Sequence, residues 1–114
     1  MFLILGGNEK MARSNGGNIL LTKEQDKAIR TSIESYSTLK KNDPMKKCID
    51  EALKFFTNSP VHQKVFNEVL SNPKGNRVMF CMDNFVSEPN YYIVRREIIW
   101  RIAMVCYAMK IFKL

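Results

Sequence analysis

Between Ile98 and Met109 the chain reads IIWRIAMVCYAM, and on a helical wheel every side of that stretch is apolar apart from Arg101. A helix of this kind has no face to offer to water, so the rest of the chain must wrap it. It is also too short, and too interrupted by Arg101, for the roughly 20 apolar residues that cross a bilayer. The expectation is an all-α fold, a compact bundle of about five helices with the long apolar C-terminal helix at its centre. A chain of 114 residues is long enough to bury such a core as one domain without disulfides or metals.

The elements around that helix are signalled by their start and stop residues. Thr22 and Gln25 form a capping box, and Ile29, Ile33, Tyr36 and Leu39 recur at helical spacing, which predicts a helix from Thr22 to about Lys41. Asp43-Pro44 opens a second helix to Phe56, with Met45, Cys48, Ile49, Ala52 and Leu53 along one face. Its other face offers the pairs Lys46 with Asp50, Lys47 with Glu51, and Asp50 with Lys54, all four residues apart. Ser59-Pro60 starts a third, shorter helix, and Ser71 to Asn76 is a break. Arg77 to Val86 is ambiguous: VMFCM suits a buried strand, while Val78, Cys81, Met82 and Phe85 suit one face of a helix. With no strand partner in sight, helix is the better reading. Ser87-Glu88-Pro89 restarts the chain into the C-terminal helix. Residues 1–18, with Gly-Gly-Asn at positions 6–8 and 16–18, read as a flexible tail or a small hairpin begun by Phe2 to Leu5, leaving 19–114 as a single helical domain.

Cys48, Cys81 and Cys106 are scattered and fit neither a disulfide framework nor a zinc site, which suggests a reducing, intracellular setting, cytoplasmic with a nuclear location also open. MFLIL has no basic residue ahead of it and is too short for a signal-peptide core. No phosphate-binding or dinucleotide loop is present, and no cofactor or metal is expected. His62, the single histidine, falls inside the apolar arc of its helix and reads as structural, and Ser59 beside it reads as an N-cap. An enzyme would need His62 to meet a cysteine or a carboxylate in three dimensions.

The net charge of +7 is uneven: residues 91–114 hold five basic residues against Glu97, or +4, and residues 76–90 total −1. Lys110 and Lys113 suit the negative end of the C-terminal helix dipole. Arg95 and Arg96, near its positive end, do not, which hints at an anion or acidic partner. Tyr91, Tyr92, Arg95, Arg96, Trp100 and Arg101 interleave aromatic and basic side chains, a composition shared by protein hot spots and single-strand nucleic-acid grooves. The leading expectation is therefore a non-enzymatic interaction protein that docks onto another protein or onto itself, as a homodimer, through the Thr22–Lys41 helix and the exposed parts of Tyr91 to Arg101. Such a dimer would follow if the short helices failed to cover the C-terminal one. The alternative is a basic nucleic-acid-binding regulator, with Arg77, Arg95, Arg96, Arg101, Lys110 and Lys113 on phosphates. The wealth of Lys, Asn and Ile fits an A/T-rich genome such as many phages and viruses carry. No motif is specific enough to name a reaction or a family.

Overall fold

The computed structural model describes residues 12–13 and 20–112. Two short strands, β1 (Ala12–Arg13) and β2 (Leu20–Leu21), pair antiparallel with Ala12 opposite Leu21 and Arg13 opposite Leu20. The remaining Gly-rich residues before Leu20, with the hairpin expected at Phe2 to Leu5, lie outside the described residues, as does Lys113. From Lys23 onward the chain is helical: α1 (Lys23–Glu34), α2 (Pro44–Leu53), α3 (Pro60–Val65), α4 (Arg77–Asn84) and α5 (Glu88–Ala108).

The capping box at the start of α1 forms as its residues predict, with Gln25 N donating to Thr22 Oγ1 at 3.0 Å and Thr22 N donating to Gln25 Oε1 at 3.1 Å. Its end is earlier than expected: α1 stops at Glu34, and Tyr36–Thr38 tightens into a 3-10 turn. The cause is local competition by hydroxyls, since both the backbone N–H and the Oγ1 of Thr38 donate to the Ser35 carbonyl. Leaving the helix lets Tyr36 turn toward α2, where its hydroxyl donates to Asp50 and its ring meets Phe66 edge-on at 5.3 Å.

Asp43 caps α2 through Met45 N at 2.8 Å, with Pro44 at the first helical position. The exposed charges pair differently from the expectation: Lys46 reaches Asp50 at 3.9 Å, and Lys54 turns to Glu51 at 2.8 Å instead of to Asp50, which Tyr36 already holds. A 3-10 turn at Lys54–Phe56 leads into α3, which widens without a break into a π turn over Phe66–Leu70. Gly75 then passes against that turn so closely that a Cβ would stand 2.7 Å from Val69 Cα and 2.7 Å from Val69 O. Only glycine fits such a backbone approach.

Arg77–Asn84 is helical, capped by Asn76 Oδ1 on Met79 N at 3.0 Å, and ends on Phe85 in the left-handed region at φ 55°. Its orientation is the unexpected part, because only Phe80 is buried. The Val78, Met82 and Phe85 face that identified it as a helix points to solvent.

Helix α5 packs against each of the other four helices, most extensively against α2. Tyr91, Val94, Ile98, Ile99, Ile102, Ala103 and Cys106 are all buried. The all-round apolar stretch is thus the centre of the fold, and Ile29, Ile33, Cys48, Ile49, Ala52, Val65 and Phe66 close over it. At roughly 25 cal/mol per Å² of apolar surface, this wrapping is the main stabilising contribution. The helix ends in a six-to-one bond from Ile111 N to the Cys106 carbonyl at 2.9 Å, with Lys110 left-handed at φ 62°. Among the described residues no helix is long and apolar enough to cross a membrane.

Candidate functional site

The π turn, the Gly75 loop, α4 and the first turns of α5 together frame an open cleft of about 570 Å³. Four of the sequence-predicted residues meet there: Arg77, Tyr91, Tyr92 and Arg95. The sequence places them on two segments, the first turns of α4 and α5, which Asn76 and Ser87 cap. Arg77 donates to the Tyr92 hydroxyl, lies over the Tyr92 ring at 5.5 Å, and reaches Glu88 Oε2 at 3.1 Å, while its Nε is buried without a partner. Tyr91 is buried, and desolvation raises its phenol above its ordinary range even though Arg95 and Arg77 pull the other way. Glu34, the last residue of α1, also lines the cleft.

The other predicted residues do not join this group. Arg101 lies 3.7 Å over Phe55 and 4.8 Å over Trp100 in a separate stack, and Trp100 is half-buried with its Nε1 unpartnered. Arg95 and Arg101 are six residues apart, about 240° around the helix at 100° per residue, so they point in different directions. Arg96 is half-buried, and Lys110 serves the C-terminal cap of α5. The outward side of α1 is polar and charged, with Lys23, Glu24, Lys27 and Arg30 exposed.

Two features went beyond what the sequence reading assigned. His62 is bridged: its Nδ1 is 2.5 Å from Ser59 Oγ, its Nε2 is 2.7 Å from Glu97 Oε1, and its ring stacks on Phe56 at 4.4 Å. A neutral imidazole protonated on Nε2 satisfies both contacts, accepting from Ser59 and donating to Glu97. Ser59 occupies the N-cap position but caps nothing with its side chain, because the imidazole has taken its hydroxyl. His62 therefore does meet a carboxylate, and a serine hydroxyl on a carboxylate-backed imidazole has the connectivity that activates a nucleophile. None of the three lines the cleft. Sequence spacing hinted at Ser59 and His62, three residues apart, but not at Glu97, 35 residues away.

The second feature is the outer face of α4. Val78 is 50% exposed, Met79 53%, Met82 66% and Phe85 95%. The signal was present in the sequence, as Val78, Met82 and Phe85 at i, i+4 and i+7. What it could not supply was the sense of the helix, since Phe80 takes the buried side instead.

Fold and surfaces of the described residues define a small all-α protein with a covered central helix, a polar cleft and an uncovered apolar face on α4. No family model matches the chain, and neither a curated protein nor a solved structure matches it.

Proposed function

We propose that this is a non-enzymatic interaction protein that docks through the outer face of α4, and that the surface it meets there is the same face of a second copy. The observation that carries the reading is Phe85, 95% exposed on a left-handed backbone. A bulky side chain is costly in that conformation and gains nothing in water, so its position has a use only when something covers it.

Four large side chains at these exposures present roughly 500 Å² of apolar surface, the upper range for a lone monomer. Two such faces bury about 1,000 Å², the lower limit of a specific interface, which implies a weak, reversible dimer. Charge favours a like partner here: the protein carries +7 overall, but residues 76–90 total −1, so the repulsive excess lies elsewhere. A two-fold axis that sets two copies of α4 antiparallel brings Asp83, near the C-terminal end of each helix, toward the positive N-terminal end of the other. The route to a dimer considered from sequence, an uncovered α5, does not apply, because the chain covers its own α5.

Sedimentation velocity over a concentration series tests the proposal. The wild-type chain is expected to show a weight-average mass that rises toward the dimer with concentration, and Met82→Glu is expected to stay monomeric with an unchanged circular dichroism spectrum. A wild-type chain that stays monomeric up to several hundred micromolar, or a Met82→Glu variant that associates equally well, overturns it.

A further inference from the structure

Two of the chain's three cysteines and two of its seven methionines gather where α2 meets the end of α5. Met45 and Cys48 are three residues apart on α2, and Cys106 and Met109 are three apart at the end of α5, so each pair shares one face of its helix. The pairs cross: Cys48 Sγ stands 3.7 Å from Met109 Sδ, and Cys106 Sγ stands 3.9 Å from Met45 Sδ. A hydrogen bond between the two thiols links all four sulfurs into one group. Cys48 and Cys106 are fully buried, whereas Met109 is 42% exposed, so the group is dry at its centre and reaches water at one corner. Among the described residues no third His, Cys, Asp or Glu joins the two cysteines, which leaves two thiols and two thioethers as the donors.

We infer that Met45, Cys48, Cys106 and Met109 form a binding site for a soft monovalent metal ion, Cu(I). The donor set makes the choice, because thiolate and thioether sulfur select Cu(I), while Zn2+ takes cysteine, histidine and carboxylate ligands. Sulfurs bound about 2.3 Å from a tetrahedral metal stand about 3.8 Å from one another, and the two crossed contacts already have that spacing. A single positive charge also suits a buried site. Each cysteine that binds exchanges its S–H bond for an S–Cu bond, the proton leaves to solvent and no electron moves, so the first exchange leaves the net charge of the core unchanged. Burial raises the Cys48 thiol but the hydrogen bond to Cys106 pulls it back, whereas burial and Cys48 both raise Cys106, so Cys48 exchanges first. Met109, exposed at the C-cap of α5, is the thioether that an arriving ion meets before the buried thiols. The cysteines are scattered in sequence, and a search for Cys and His spacing counts no thioether, which is why the group was not legible there.

The probe is Cu(I) itself, held reduced by ascorbate under nitrogen and offered to the full chain in competition with bicinchoninate, whose coloured copper complex reports how much the protein removes. The variants are Cys48→Ala, Cys106→Ala, Met109→Leu and, as a control on α4, Cys81→Ser, each checked by circular dichroism. The wild-type chain and Cys81→Ser are expected to take up one equivalent of copper, with ultraviolet Cu(I)–thiolate absorption and a raised Tm. Each alanine variant is expected to lose binding by about a hundredfold or more, and Met109→Leu to weaken it roughly tenfold. Zn2+ at the same concentration is expected to leave Tm unchanged. Met109→Leu conserves volume and leaves both buried thiols in place, so it keeps the test decisive where an alanine variant fails to fold. A wild-type chain that removes no copper, cysteine or Met109→Leu variants that bind as tightly as the wild type, loss of binding in Cys81→Ser, or a Tm raised equally by Zn2+ overturns the inference.

Discussion

His62 Nε2 lies 2.7 Å from Glu97 Oε1, tying the first turn of α3 to the middle of α5 across 35 residues of sequence. The bond carries over to Ser59 through the other ring nitrogen, so three side chains from a loop and two helices form one unit. Glu97 is 43% exposed, which screens its charge and keeps the contribution modest. A double-mutant cycle with His62→Gln and Glu97→Gln is predicted to give a coupling of about 0.5–1.5 kcal/mol by chemical denaturation. Additive single effects would show that the two residues do not act as a unit.

Gly75→Ala is predicted to cost about 1–3 kcal/mol, because the new methyl group meets the backbone of Val69 and Glu68 rather than a movable side chain. Urea unfolding measures this directly. An unchanged midpoint would mean that the loop does not run against the π turn.

Stability is predicted to fall on the alkaline side. Burial raises the thiols of Cys48 and Cys106 and the phenols of Tyr36 and Tyr91 above their ordinary values of 9.0 and 10.0. The unfolded chain therefore loses these protons first, and deprotonation draws the equilibrium toward it. The stabilisation is complete below the thiols' unfolded value and declines as pH rises past it, then further past the phenols'. Tm should drop progressively above about pH 9 and drop less in Cys106→Ala. A Tm that is flat through about pH 10.5 contradicts the assignment.

Phe85→Gly separates folding from docking. Glycine relieves the left-handed backbone, so the dilute monomer should gain about 0.5–1 kcal/mol while self-association weakens. A variant that loses monomer stability would show that Phe85 packs within its own chain.

The fold was legible where one local rule decided an element. Thr22 and Gln25, Asp43-Pro44 and the run from Ile98 to Met109 each had a single reading, and the structure follows it. The first helix was read too long because Tyr36 and Leu39 continue its apolar spacing, whereas the hydroxyl bonds at Ser35 and Thr38 end it sooner. The candidate site was only half legible. Arg77, Tyr91, Tyr92 and Arg95 converge, but Arg101 is drawn to Phe55, a contact between α5 and the 3-10 turn after α2 that spacing cannot encode. The α4 face was visible as a periodicity whose outward sense depends on Phe80 winning the place against Tyr91.

The most direct test of α4 pairing is a cysteine placed at Met82 in a Cys81→Ser background. Two copies of α4 set antiparallel about an axis near this residue bring the new thiols together, so mild oxidation should convert the chain to a disulfide-linked dimer that retains its helical spectrum. A chain that stays a monomeric thiol under concentrations at which the wild type sediments as a dimer contradicts the account.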